Sequence, residues 1–129
     1  MNSLGTKIDR RLTVTGAALG GLAVMLGAFG AHALKSRLGP EELGWWQTAV
    51  QYQMWHAIGL LAIGIARSMP TRGPAWLLAA GTIIFSGSLY AMALTDARWL
   101  GAITPIGGVL MIAGWALLAW RLWRWRVSS

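Results

Sequence analysis

Four long apolar segments, at residues 12–34, 47–66, 75–95 and 101–120, occupy most of this sequence of 129 residues. A helix needs about 20 apolar residues to cross the hydrocarbon core of a bilayer, and each segment reaches that length. Hydrophobic residues make up 56% of the chain and charged residues 12%, against about half and about a quarter in soluble domains. We therefore predict an all-α integral membrane protein with a single transmembrane domain over residues 1–129.

The connections between the segments predict how the helices are arranged. Residues 39–42 read GPEE, and a proline followed by acidic side chains is typical of a helix start. Residues 70–74 mark the second turn. The third turn, around Asp96 and Arg98, is so short that the helices on either side should run antiparallel. The expected fold is four transmembrane helices in an antiparallel up-down bundle.

Positive charge is concentrated on one side of these segments. The net charge is +7, and eight of the eleven basic residues lie before the first segment, between the second and third, or after the fourth: Lys7, Arg10, Arg11, Arg67, Arg72, Arg121, Arg124 and Arg126. The other side holds three basic residues and three acidic ones: Lys35, Arg37, Arg98, Glu41, Glu42 and Asp96. The positive-inside rule then predicts a multi-pass protein of a bacterial plasma membrane with both termini in the cytoplasm.

The distribution of the basic residues also predicts which kind of partner the protein contacts. They are scattered at the ends of apolar segments and form no stripe, which disfavours nucleic acid and favours the lipid bilayer. The stretch from Arg121 to Arg126, interleaved with Trp123 and Trp125, is interpreted as an anchor on anionic lipid head groups, with a protein docking site as the alternative.

A cleaved signal peptide is the alternative for the first segment. Three basic residues precede an apolar run that ends in Ala31, His32 and Ala33, which is the order of a secretory signal. The run is longer than the roughly 7 to 15 residues of a signal core. Its small residues also recur at helix-packing intervals, so a retained helix is favoured.

Cofactors and enzymatic chemistry are disfavoured by the residue types that the spans contain. The sequence has no cysteine, and all four of its acidic residues lie outside the apolar segments. His32 and His56 differ by about 10 Å in depth along their helices, which is too much for a bis-histidine haem. Two imidazoles alone are too few for a zinc site, and Ser86 and Ser88 have no buried acid for a hydrolase triad. We therefore expect no cofactor, no metal and no enzyme.

Small residues recur at four- and three-residue steps along one face of the first segment. Helices in lipid associate through close backbone approach, so these positions predict packing contacts. The helix-packing candidates are Gly16, Gly20, Ala23 and Gly27 in the first segment and Gly107 and Gly114 in the fourth. Packing within the bundle is the favoured interpretation, and a homodimer face is the alternative.

Polar residues within the segments fall mainly in the outer half of the predicted membrane. The candidates for a polar crevice there are His32, Thr48, Gln51, Tyr52, Gln53, His56, Ser86, Ser88, Tyr90 and Thr104. Intramembrane polar side chains need partners, so one interpretation is a hydrogen-bond network that fixes helix register. The other interpretation is that a neutral histidine in the crevice has a functional role. We predict that His56 bonds a group on the third helix, Ser86 or Tyr90.

Several short motifs resemble one known family. They are GAFGAH at 27–32, TAVQYQ at 48–53 followed by His56, SGSLY at 86–90 and TPIGG at 104–108. In this order they resemble the small four-helix membrane proteins catalogued as domain of unknown function 423, the YgdD- and YwdK-like inner membrane proteins. The resemblance covers essentially the whole chain. It implies the fold and the plasma membrane location, and it implies no activity or functional residue.

Two classes of function stay in competition. The first is a small non-enzymatic membrane protein that acts as an accessory, assembly or scaffold component, with another membrane protein or itself as partner. The second is a carrier or channel for a small neutral or protonated solute that enters the polar crevice. An inner half almost without polar residues argues against a continuous water pore, which favours the first class.

Overall fold

Four long helices make up most of the computed structural model, which describes residues 8–66 and 70–126. They are α1 at Arg10–Phe29, continued by a π-helical turn at Gly30–Leu34, α2 at Pro40–Ile65, α3 at Arg72–Thr95 and α4 at Thr104–Arg124, with a short 3₁₀ helix at Arg98–Ala102 before α4. The basic residues Lys7 and Arg67 lie outside the described residues. The chain is therefore all-helical, as predicted.

Each helix packs antiparallel against the next one in the chain. The start of α1 lies beside the end of α2, where Thr13 faces Gly64. The middle of α3 lies on the first half of α2, since the hydroxyl of Ser86 donates to the Ala49 carbonyl at 2.8 Å. In turn, α4 lies on α3 at Gly107 and Gly81. The helix order alternates up and down along the chain.

Three helical stretches within residues 8–66 and 70–126 are long and apolar enough to cross a membrane. They are Arg10–Leu34, Arg72–Thr95 and Arg98–Arg124. Helix α2 is long enough, at 26 residues, but its amide and imidazole side chains make it more polar than the other three. The second membrane span, predicted at residues 47–66, therefore stays a prediction.

Helix α2 begins at Pro40, earlier than the predicted span that starts at residue 47. Pro40 occupies the first turn, where its missing N–H costs nothing, and Glu41 and Glu42 favour the positive end of the helix dipole. At the third turn, Asp96 ends α3 in the left-handed region, with φ at 55°. The helices thus differ from the apolar segments at several ends. Helix α4 begins at Thr104, after the predicted start at residue 101, because residues 98–102 form a 3₁₀ helix, and it ends four residues later than predicted, at Arg124.

Glycines, which have no side chain, let the helices approach closely. A β-carbon on Gly16 would lie 2.7 Å from the Leu61 nitrogen and 2.8 Å from the Ala57 oxygen, both in the backbone of α2. A β-carbon on Gly107 would lie 2.7 Å from the Gly81 oxygen on α3. The structure likewise places Gly20, Ala23 and Gly27 among the contacts of α1 with its neighbours, and Gly114 against Leu78 of α3. The seam of the first segment is thus filled by α2.

Ion pairs tie the helix ends together. Asp9 accepts hydrogen bonds from the first turn of α1 and also pairs with Arg72 at 3.2 Å, at the start of α3. At the opposite end, Arg98 forms a two-pronged contact with Glu41, at 3.1 and 3.2 Å, and lies over the Trp45 ring. Both ends of the helix assembly are therefore connected across sequence-distant residues.

Candidate functional site: polar contacts between the helices

The side chain of Gln53 joins three helices. Its amide nitrogen donates to the Leu19 carbonyl of α1 at 2.8 Å, and its amide oxygen accepts from the hydroxyl of Tyr90 on α3 at 2.7 Å. Gln53 is 3% exposed, so these bonds replace solvent almost completely. Because both ends of the amide are used, the contact sets the relative heights of α1, α2 and α3.

Two serines of α3 make separate contacts. Ser86 donates to the Ala49 carbonyl of α2, and both residues are buried. Ser88 lies on the other side of α3, where its hydroxyl is 2.6 Å from that of Thr104 at the start of α4. Ser86 therefore holds α2 and Ser88 holds α4.

The buried imidazole of His56 is bonded at both nitrogens. Its Nδ1 lies 2.8 Å from the Tyr52 carbonyl, and its Nε2 lies 3.0 Å from the indole nitrogen of Trp115 on α4. A carbonyl only accepts and an indole only donates, so Nδ1 carries the proton and Nε2 accepts. The arrangement holds a neutral imidazole, since a second proton on Nε2 would face the Trp115 N–H.

The prediction of a partner for His56 on α3 is therefore wrong. Ser86 and Tyr90 are taken by Ala49 and Gln53, and the indole of Trp115 reaches His56 from α4 instead. The Trp115 ring also lies beside Gly59 of α2, where a β-carbon would be 3.7 Å from the ring, at ordinary contact distance. Trp115 was not among the predicted residues, because a tryptophan in an apolar span with a single N–H does not by itself indicate a polar partner.

Of the other predicted residues, Tyr52 lies beside His56 and the rest lie apart from these contacts. The ring of Tyr52 is half-buried against Phe85, with centroids 4.6 Å apart, and it stacks on His56. Thr48 is half-buried on α2, while Gln51 and His32 are exposed. The predicted set is thus divided among the Gln53–Tyr90, Ser86–Ala49, Ser88–Thr104 and His56 contacts, with Thr48, Gln51 and His32 outside them.

Sequence reasoning did not find Trp46 as a polar contact. Its indole donates to the Leu26 carbonyl of α1 at 2.8 Å, although the side chain is 2% exposed and otherwise packs among hydrophobic residues. The ring lies directly against Gly30, where α1 changes to its π-helical turn. The close approach requires glycine, since a β-carbon there would lie 2.5 Å from the ring.

The chemistry open to these residues follows from their bonding. Within the described residues, every buried side-chain nitrogen and oxygen has a hydrogen-bond partner, and no three histidine or acidic side chains come together as metal ligands. A cavity of about 220 Å³ lies between α1 and α3 beside the Gln53 contact; leucine and isoleucine line one part of it, and Gln53, Ser86 and Tyr90, all bonded to other groups of the chain, line another. The contacts are suited to fixing helix register.

Comparison with known proteins agrees with the motifs. The family described as "Protein of unknown function (DUF423)" matches residues 26–108. The chain belongs to this family. Among its relatives is a UPF0382 membrane protein of Staphylococcus saprophyticus, 51% identical over 108 residues, which are 81% of this chain and 90% of the relative.

A second relative is the UPF0382 inner membrane protein YgdD of Escherichia coli strain K12. It is 44% identical over 116 residues, which are 85% of this chain and 87% of that protein. No solved structure matches the chain. The resemblance seen in the motifs is therefore confirmed, and the chain is a helical membrane protein of a family of unknown function.

Proposed function

We propose that all four helices cross the bacterial inner membrane as a bundle, with both termini in the cytoplasm. Helix α2 lies antiparallel between α1 and α3 and contacts both over most of its length. If α1 and α3 cross the bilayer, α2 must lie at the same depths. Its polar side chains are compatible with this position because Gln53 and His56 are bonded inside the assembly.

We further propose that the protein is a non-enzymatic accessory, assembly or scaffold component. The observation that carries this proposal is that every buried polar side-chain atom of the described residues is already partnered within the chain. A catalytic or transport site needs groups that can exchange partners with a substrate. The polar residues here hold helices to one another, and both ring nitrogens of His56 are already engaged, by Tyr52 and Trp115.

The outer surface supports a role in contacting other proteins. Gly21 on α1 and Gly87 on α3 are exposed, and a β-carbon at either would meet no atom of this chain within 4 Å. Small exposed residues let a second helix approach closely in lipid. Each of these faces can therefore accept a neighbouring helix.

Isolation at native abundance tests this proposal. The chromosomal gene is tagged, the membranes are dissolved in mild detergent, and the copurifying proteins are quantified by mass spectrometry. We expect a second membrane protein in fixed stoichiometry. Gly21→Leu and Gly87→Leu should each fold normally, and one of them should release the partner.

A control excludes capture by the detergent micelle. An unrelated inner membrane protein with the same tag, at the same abundance, should not retain the partner. A homo-oligomer without any other protein, combined with solute uptake by liposomes that contain it, would contradict the accessory role and support the carrier.

A further inference from the structure

A cavity of about 410 Å³ opens at the end of α4, lined by Trp120, Trp123, Arg124 and Arg126. Positions 120, 123 and 124 are three and four residues apart, so they project from one face of the helix. Both indoles are exposed, Trp123 at 88%. Two large aromatic rings and two guanidinium groups therefore surround a single open space.

The two arginines bring positive charge that the described part of the chain does not neutralise. The ion pairs among residues 8–66 and 70–126 use Arg72 and Arg98, and neither Arg124 nor Arg126 contacts a carboxylate there. The carbonyls at the end of α4 carry only about half a negative charge. The cavity therefore attracts an anion.

The guanidinium of Arg124 is held in place over an aromatic ring. Its central carbon lies 5.2 Å from the centroid of Trp120, which is within the range of a cation–π interaction. A guanidinium fixed in this way presents its N–H groups in a planar fork, which matches the oxygens of a phosphate. The neighbouring Arg121 is engaged elsewhere, since it donates to the Pro70 carbonyl at 3.4 Å.

The surface next to the cavity is apolar. Val109 and Ile112, which lie on α4 towards the middle of the helix, are 64% and 71% exposed and precede Trp120 at helical spacing. A ligand that fills the cavity with an anionic group can therefore lay hydrocarbon along the same helix. This combination is found in a phospholipid and is absent from a free anion.

We propose that this cavity binds the phosphodiester head group of an anionic glycerophospholipid. Arg124 and Arg126 contact the phosphate, and the rings of Trp120 and Trp123 lie at the level of the glycerol backbone. Basic pockets beside transmembrane helices on the cytoplasmic side bind such head groups in other membrane proteins. The inference goes beyond the accessory role, and only the choice of the cytoplasmic leaflet rests on the proposed orientation.

Lipid titration of the purified full-length protein in detergent tests the site. Phosphatidylglycerol or phosphatidylcholine is added, and bound lipid is counted by native mass spectrometry. We expect phosphatidylglycerol to bind more tightly. Since each basic residue near a membrane surface contributes about 1 kcal/mol, the Arg124→Gln/Arg126→Gln variant should bind phosphatidylglycerol about 25-fold more weakly.

The Arg10→Gln/Arg11→Gln variant is the matched control. It removes two charges from the exposed start of α1, on the side of the membrane that also holds the end of α4 in the proposed orientation, and neither residue lines the cavity. Its affinity should stay within about twofold of that of the unaltered protein if the site is built by the α4 residues. Circular dichroism checks that both variants keep their helix content.

Three results would overturn the proposal. Equal loss of binding in the two double variants would show general attraction to positive charge. Equal affinity for phosphatidylglycerol and phosphatidylcholine would show that the head group is not recognised. Competition by inorganic phosphate at the same concentration as the lipid would show a free-anion site.

Discussion

At the scale of single residues, the polar side chains are used in pairs that cross from one helix to another. Gln53 meets Tyr90, Ser88 meets Thr104, and His56 accepts from Trp115. In hydrocarbon an unpaired polar group is costly, so each pair favours one alignment of its two helices over shifted alternatives. The pairs thus determine how each helix is aligned along its neighbour more than they raise the free energy of unfolding.

The contact between His56 and Trp115 should contribute measurably to stability. His56→Leu and Trp115→Phe each remove one partner, and a hydrogen bond between transmembrane helices averages about 0.6 kcal/mol and reaches about 1.7. We expect the double variant to be less destabilised than the sum of the two single ones, by an amount in that range. Unfolding by sodium dodecyl sulfate in mixed micelles, followed by circular dichroism, measures the coupling.

The control for this cycle is Trp55→Phe. Trp55 lies next to His56 in the sequence but is 56% exposed, and the two ring nitrogens of His56 are bonded to Tyr52 and Trp115 instead. Combined with His56→Leu, it should give additive losses. Additive losses for Trp115→Phe as well would show that the observed bond contributes nothing to stability.

At the scale of helices, each element has one packed face and one face turned outward. On α1, Gly16 is buried against α2, while Val14 and Met25 are exposed. The end of α1 departs from regular α-helix where Trp46 lies against Gly30 and bonds the Leu26 carbonyl. The change of α1 from α-helix to π-helix therefore occurs where the Trp46 ring of α2 packs against it.

Two glycines of α1 should respond in opposite ways to alanine. Gly16→Ala places a methyl group within 2.8 Å of the α2 backbone, and overpacking of this kind costs about 1–3 kcal/mol. Gly21→Ala meets no atom within 4 Å, and the higher helix propensity of alanine should leave stability unchanged or raise it by up to about 1 kcal/mol. Unfolding in mixed micelles compares the two. Equal stability of both variants would place the α1 and α2 contact elsewhere.

At the scale of the whole molecule, hydrophobic side chains face outward and bonded polar ones lie between the helices. Ile112, Met25 and Ile58 are largely exposed, whereas Gln53 and Ser86 are buried. This distribution is typical of a protein whose solvent is lipid. The ion pairs Asp9–Arg72 and Arg98–Glu41 lie at the two opposite ends.

Cysteine labelling tests the membrane topology of the chain, that is, on which side each terminus and connection lies. The sequence has no cysteine, so single cysteines can be introduced without removing native ones. A cysteine at Ser36, in the connection between α1 and α2, should react with an impermeant thiol reagent in intact cells. Cysteines at Ser3 and Ser128, positions outside the described residues, should react only after the membrane is opened.

Labelling of the Ser128 variant in intact cells would disprove the proposed orientation. Labelling of Ser3 and Ser128 on opposite sides of the membrane would instead show an odd number of spans. Detection of each variant by immunoblot ensures that a missing signal does not come from missing protein.

The sequence by itself determined the class of the protein and the number of its long helices, whose ends lie up to seven residues from those of the apolar segments. Four apolar segments, a short turn at Asp96, and small residues at helical spacing are local signals, because they depend on the chain's own hydropathy and backbone freedom. Charge asymmetry predicted the orientation for the same reason. The motifs identified the family without reference to the fold.

Only the tertiary structure decided which polar groups meet. The sequence indicated that Gln53, His56, Ser86 and Tyr90 need partners, but their depths alone did not separate α3 from α4 as the source. The rotation of each helix about its axis decided this, and that rotation depends on where backbones approach, as at Gly16 and Gly107. Trp115 reaches His56 because the packing of the helices turns the two side chains toward each other, which is a property of the packed helices and of neither sequence segment alone.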